Sequence, residues 1–208
     1  FFKLQISDLR GAETALRRGL ELNPNATEAL TAYGYMLFTS LNRPDEAVRY
    51  LRKAVALDPL VPLYRSVLGG ALTSAGQLDE AIRLLRSNIE IHPDFADNYL
   101  RLGVAYSYRG EIDEGIRWYA RSAAVDPEDY LLCVDLVRLH LSLGDSDGAD
   151  AWYERLAAAG SDNYYRLASR YLLQRFRGDA EPALETARRL AEHAERRPGY
   201  EGMADFAW

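Results

Sequence analysis

Apolar residues recur along this chain with the period of an α-helix, and polar turns interrupt them at short, regular intervals. Between residues 62 and 93, Arg65, Leu68, Gly69 and Leu72 stand at i, i+3, i+4 and i+7 and so share one helical face. Gly69 lets a neighbouring helix approach bare backbone on that face. Gly76 stops the helix, because glycine accepts the left-handed backbone that other residues resist. After Gln77-Leu78-Asp79-Glu80 a second helix is predicted, with Ala81, Leu85 and the small Asn88 on its inward side. Pro93 falls in the following turn, where its missing N–H and fixed φ do no harm. The reading is a helix–turn–helix unit that cannot bury its apolar face alone, so copies of it must stack.

The same phrase recurs. Leu57-Asp58-Pro59, Ile91-His92-Pro93 and Val125-Asp126-Pro127 follow one another at intervals of 34 residues, and Leu22-Asn23-Pro24 precedes them by 35. One extra residue in the turn Thr39–Asp45, where Asn42-Arg43-Pro44-Asp45 supplies loop chemistry, accounts for the longer interval. Within each unit a Leu-Gly-like pair, a further apolar residue, a turn glycine, an alanine and a large apolar residue keep their phase. The third unit has Leu68-Gly69, Leu72, Gly76, Ala81, Leu85 and Pro93; the fourth has Tyr99, Leu102-Gly103, Tyr106, Gly110, Tyr119, Ser122 and Pro127, with Gly115 in place of the alanine. This pattern resembles the tetratricopeptide-repeat (TPR) family.

The resemblance implies an all-α, right-handed superhelical solenoid of antiparallel helix pairs, a single array over residues 1–208. Residues 1–26 hold the second helix of a truncated repeat. Repeats follow at 27–61, 62–95, 96–129, 130–163 and 164–197, and 198–208 form a truncated helix or cap. The fifth and sixth segments depart from the pattern, since Val137 and Tyr171 replace the first-helix glycine while Gly144, Ala149, Tyr153, Gly178, Ala183 and Leu190 keep the rest.

Composition narrows the function. A formal net charge of -6 argues against a nucleic-acid partner, because affinity for phosphate backbones rests on Lys and Arg. The single Cys133 excludes an internal disulfide, is read as core filling, and fits a reducing, cytoplasmic compartment. No apolar run is long enough for membrane insertion. The chain starts at Phe1 in mid-pattern and is read as a piece of a longer protein.

By resemblance to the family, the first helix of each repeat lines a concave groove, one position off the Leu-Gly row. That row reads Glu28, Thr31, Tyr35 and Phe38; Leu63, Ser66, Gly70 and Thr73; Asp97, Leu100, Val104 and Tyr108; Leu131, Val134, Arg138 and Leu141; and Tyr165, Ala168, Leu172 and Phe176. A helix apolar on both its packing row and this second row is buried all round or presents a binding patch. The expected site is therefore Tyr35, Phe38, Leu63, Leu100, Val104, Tyr108, Leu131, Val134, Leu141, Tyr165, Leu172 and Phe176, flanked by Arg101, Arg138 and Arg175. It would take a peptide or amphipathic helix with aromatic anchors and a few carboxylates. The Lys, Arg and Asn clamp with which some TPR proteins hold acidic chaperone tails is absent: Thr31, Tyr35, Val67 and Asp97 stand near those places, and only Arg101 is of the right type.

No cofactor, metal or catalytic group is expected. His92, His140 and His193 lie in different repeats without ligand spacing, with His140 read as a packing residue. The carboxylates Asp79-Glu80, Glu111, Asp113-Glu114, Asp145 and Asp147 recur just before second helices and read as caps. Gly69-Gly70 follows no strand and is no phosphate loop. The chain reads as a protein-interaction module without chemistry of its own. The alternative is the recruiting or regulatory arm of a larger bacterial enzyme, such as a glycosyltransferase, or of a transcription regulator. Tyr200, Met203, Phe206 and Trp208 follow a break at Arg197-Pro198-Gly199; they either cap the array on Ala183, Ala187 and Leu190 or enter an apolar groove of their own or a second chain, giving self-association.

Overall fold

The computed structural model describes residues 9–158 and 164–196, without the side chains of Leu131 and residues 193–196. Among the described residues there are 11 helices and no strand: α1 (Leu9–Leu22), α2 (Thr27–Thr39), α3 (Pro44–Leu57), α4 (Pro62–Ser74), α5 (Leu78–Ile91), α6 (Ala96–Tyr108), α7 (Ile112–Val125), α8 (Tyr130–Ser142), α9 (Ser146–Ala158), α10 (Tyr164–Arg177) and α11 (Ala180–Arg196). The fold is all-α, as the spacing implied. Two compact units divide the chain, Phe1–Val125 and Asp126–Trp208.

In the first unit, α2 and α3, α4 and α5, and α6 and α7 form successive hairpins, and α2, α4 and α6 also touch in series. Two of these hairpin turns, α4–α5 and α6–α7, end the same way. The N–H of Gln77 donates to the Leu72 carbonyl at 2.9 Å and that of Gly76 to Thr73 at 3.0 Å; Glu111 and Gly110 repeat this on Tyr106 and Ser107. That pairing needs left-handed backbone, which Gly76 (φ 74) and Gly110 (φ 86) supply. The α2–α3 turn is one residue longer, and Asn42 takes the left-handed place with φ 52. This is the physical form of the 35-residue interval.

Close approach explains the other recurring glycine. A Cβ on Gly34 would lie 2.5 Å from Cγ of Leu51, on Gly69 2.6 Å from Leu85, and on Gly103 2.6 Å from the Tyr119 ring. The large residue of the second helix thus drops onto bare backbone of the first. Around these contacts Leu30, Tyr33, Met36, Leu37, Leu51, Leu68, Leu72, Leu85, Leu102 and Tyr106 form one continuous core. Ala47, Ala54, Ala71, Ala81 and Ala105 have no exposed surface at all, so the helices cross on methyl groups.

Polar side chains tie helix ends together. Asn88, fully buried at the end of α5, donates from Nδ2 to the Pro62 carbonyl at 2.9 Å and to Asn98 Oδ1 at 2.7 Å. Ser122 of α7 donates to the Ala96 carbonyl at 2.9 Å. The bonds to Pro62 and Ala96 tie the end of a second helix to the start of its own hairpin's first helix, and the Asn88–Asn98 bond joins α5 to α6 of the next hairpin. At the amino end, Arg43 bridges Glu13 of α1 at 2.7 Å and Glu46 of α3, and the Tyr33 hydroxyl also donates to Glu13.

The second unit holds α8 to α11. Its turn glycines, Gly144 (φ 76) and Gly178 (φ 82), keep the same role. Its packing differs, because Val137 is fully buried where the first unit has glycine and gathers with Leu141, Ala149 and Leu173, with Trp152, Tyr153 and Leu172 against them.

Candidate partner-binding face

The first helices of the hairpins carry the predicted row, and the first unit presents much of it. Tyr35 on α2, Leu63 on α4 and Tyr108 on α6 are 44%, 42% and 66% exposed. Large apolar side chains here keep a sizeable part of their surface in solvent. Phe38 meets Tyr35 edge to face at 5.4 Å. Leu100 and Val104 of α6 are half-buried.

A polar knot is set into this face. Ser66 Oγ donates to Asp97 Oδ2 at 2.6 Å, and Arg101 Nε donates to the same oxygen at 2.7 Å. Arg101 is mostly buried, with 18% of its side chain exposed. It fits because Gly70 has no side chain: a Cβ there would lie 2.4 Å from Arg101 Nη1 and 3.4 Å from the Phe38 ring. Among the described residues Arg101 donates through Nε to Asp97, and the guanidinium carries further N–H donors on its Nη atoms.

In the second unit, Phe176 is 49% exposed and Arg175 is exposed with it. Tyr165 is half-buried between Tyr130 (6.2 Å) and Tyr164 (5.8 Å). Val134 and Leu172 are half-buried, Arg138 pairs with Asp135 of its own helix, and the side chain of Leu131 lies outside the description.

Several row members belong to the interior instead. Thr31, Ser66 and Thr73 are buried, and Leu141, placed in the site by sequence, is 8% exposed and packs in the core of the second unit. A row one position off the packing stripe is only about 100° away around the helix, so the neighbouring first helix covers part of it. Sequence spacing makes Gly70 no more than a row member. Its role as a seat for Arg101 is invisible there, because spacing cannot say which neighbour reaches a glycine.

The other sequence candidates resolve as follows. Cys133 is buried, and burial pushes its thiol up from the ordinary value. His140 Nδ1 lies 2.8 Å from Asp145 Oδ2, whose other oxygen accepts the Gly148 N–H at 2.9 Å. That backbone bond and His140 hold the Asp145 carboxyl below its usual range. Asp145 is thus a true cap, but the capping account fails at α5. No side-chain cap forms there; Glu80 pairs with Arg52 of α3 at 2.9 Å and Asp79 with Arg109 at 3.3 Å, joining one hairpin to the next. Among the described residues no group of three or more His, Cys, Asp or Glu lies together as a metal site. The side chain of His193 and residues 200–208 lie outside the description.

The sequence profile of the tetratricopeptide repeat matches residues 3–59, 40–94 and 100–164. The chain belongs to the tetratricopeptide-repeat family. Among solved structures it is similar to a thermophilic TPR protein of Thermus thermophilus, with 25% identity over 79% of this chain and 90% of that one and a TM-score of 0.66. PilF of Pseudomonas aeruginosa shares the fold at 20% identity, covering 98% and 90%, with a TM-score of 0.62. A protein called MamA is similar at 26% identity, with 71% and 86% coverage and a TM-score of 0.54. No curated protein matches the sequence. Membership of the TPR family makes the chain a protein-interaction scaffold, a class that is generally non-enzymatic. No helix among the described residues is long and apolar enough to cross a membrane.

Proposed function

We propose that the first unit of this TPR chain holds a short segment of a partner protein across α2, α4 and α6. The supporting observation is the outward row of Tyr35, Leu63 and Tyr108 around the Arg101 knot. Aromatic anchors bring large area at little entropic cost, and a guanidinium edge adds directional donors. The partner segment is apolar or aromatic with a carboxylate near one anchor. Phe38, Leu100 and Val104 supply the floor. In the second unit Val134, Arg138, Tyr165, Leu172, Arg175 and Phe176 form a corresponding face of their own.

The test begins with a photo-crosslinking amino acid at Tyr108, which identifies the captured segment by mass spectrometry. A peptide of that segment is then titrated by calorimetry. Tyr35→Ala and Tyr108→Ala each weaken binding about 5- to 30-fold, as loss of an interface anchor does. Unchanged affinity in both variants, with helicity intact, rejects the face.

A further inference from the structure

Within the first unit the second helices α5 and α7 both pack on α6 without touching each other's backbone, so their side chains meet in a furrow above α6. The furrow one repeat earlier, between α3 and α5 above α4, is built the same way. Both of its guanidiniums have partners on α5: Arg52 of α3 pairs with Glu80 at 2.9 Å, and Arg65 of α4 donates to Ser87 Oγ at 2.6 Å.

In the later furrow the same places are refilled. Arg86 stands where Arg52 does and Glu114 where Glu80 does, yet they do not pair. Glu114 turns to Arg117 of its own helix at 2.8 Å, and Arg86 donates to the Tyr106 hydroxyl. The positions of Leu84, Ser87 and Arg65 are taken by Trp118, Arg121 and Tyr99. The Arg121 guanidinium carbon lies 4.4 Å from the Trp118 ring centre and that of Arg86 6.0 Å, while the rings of Tyr99 and Tyr106 stand 6.1 and 6.4 Å from it. Arg86 and Arg121 are exposed, and among the described residues neither makes an ion pair. Stacking on a ring occupies the face of a guanidinium and not its N–H edge, which is the part that binds a carboxylate.

We infer that this outer furrow binds a short acidic segment of a partner protein, with Trp118 as its platform and Arg86 and Arg121 taking the carboxylates. Both guanidinium carbons lie within 6.0 Å of one ring centre. Side chains two residues apart on an extended strand are separated by about 7 Å, so the matching segment has Asp or Glu at alternate residues. A nucleic acid fits poorly, because α5 and α7 also carry Asp79, Glu80, Glu90, Asp113 and Glu114 and the whole chain has a net charge of -6. The cations of the furrow stand on second helices, whereas the face proposed above is carried by first helices, and neither reading depends on the other.

Fluorescence titration tests this on the full chain carrying Trp152→Phe and Trp208→Phe, which leaves Trp118 as the reporter. The probe is a peptide alternating Glu and Thr over about eight residues, and its Gln–Thr counterpart is the control. The acidic peptide changes Trp118 emission saturably with a Kd below about 1 mM at low salt, and added NaCl weakens it; the control does not bind. Arg86→Gln and Arg121→Gln each weaken binding about 5-fold or more with helicity unchanged, while Tyr108→Ala on the other face has no effect. Arg121 makes only its ring contact among the described residues, so its variant decides the matter if Arg86→Gln disturbs the fold. Absence of a saturable signal overturns the inference, as do equal affinity for the Gln–Thr peptide, unchanged affinity in Arg121→Gln, and loss of binding in Tyr108→Ala. Tighter binding of a short single-stranded RNA through the same two arginines overturns it as well, since the occupant would then be a nucleic acid.

Discussion

The first and last hairpins solve one packing problem in opposite ways. In the first unit a bare glycine on the leading helix receives a large residue of the following helix: Gly34 with Leu51, Gly69 with Leu85, Gly103 with Tyr119. At the same two places the last hairpin has Tyr171 and Ala187, which line one groove. The knob and its socket have changed helices. Between them stands the α8–α9 hairpin, with Val137 fully buried and Tyr153 packed against its cluster. At 171 the large member of the pair stands on the first helix, whereas at 137 both members, Val137 and Tyr153, are large and no such exchange is made.

The largest effect should come from the knob in the first unit. Leu85→Ala is expected to cost about 2–5 kcal/mol in chemical unfolding, as buried leucine truncations do. Gly69→Ala drives a methyl into the same leucine and should cost about 1–3 kcal/mol. Because the two changes relieve each other, the double variant should lose less than their sum by about 0.5–3 kcal/mol. Strict additivity would break the comparison. In the last hairpin, Tyr171→Gly alone should destabilise, and Tyr171→Gly with Ala187→Leu should recover part of the loss, measured the same way.

Next in size is the polar tie. Asn88→Ala leaves the buried Asn98 side chain without its partner and removes the bond to the Pro62 carbonyl, and is expected to cost about 1–3 kcal/mol. The corresponding residue in the second unit is the buried Leu156, so that hairpin has no such bond to lose. By contrast, Tyr108→Ala and Phe176→Ala should change unfolding free energy by less than about 0.5 kcal/mol, since both rings stand in solvent. A loss of several kcal/mol at either one would move it from the face to the core.

The smallest effect is acid sensitivity. The hydrogen bond from Arg43, aided by that from Tyr33, holds the Glu13 carboxyl below its usual range against the opposing push of burial. A carboxyl lowered on folding contributes stability above its unfolded value and loses it as pH falls through the folded value. Glu13→Gln should therefore loosen α1 near neutral pH, seen as faster amide exchange in Leu9–Leu22, and the difference from the unaltered chain should vanish as pH falls through the lowered folded value of Glu13. A difference that persists in acid would assign the effect to packing.

Much of this was legible in the sequence. Phase, turn glycines and the extra residue near Asn42 follow from periods and breakers, which are local properties. The exposure of Tyr35, Tyr108 and Phe176 was legible too, because they stand on the row beside the packing stripe and not on it. What escaped is decided by neighbours. Thr31, Ser66, Thr73 and Leu141 share a row with exposed residues yet are covered by the adjoining helix. Asp79 and Glu80 sit at a helix start, where capping is the local expectation, but Arg109 and Arg52 from adjoining hairpins claim them. The seat of Arg101 on Gly70 joins two repeats and has no signature within either.

The Asn88–Asn98 bond also bears on how the array avoids mistakes. Units this similar can dock with the wrong neighbour while the chain is folding, and apolar faces alone discriminate poorly among them. At the place of Asn88, α3, α7 and α9 have Ala54, Ser122 and Leu156; at the place of Asn98, α4, α8 and α10 have Tyr64, Leu132 and Arg166. An amide pair can therefore form only where α5 meets α6. A docking that set Asn88 against Leu132, or Asn98 against Ala54 or Leu156, would bury an amide against carbon, so one hydrogen bond serves as an address that marks the proper successor of the α4–α5 hairpin.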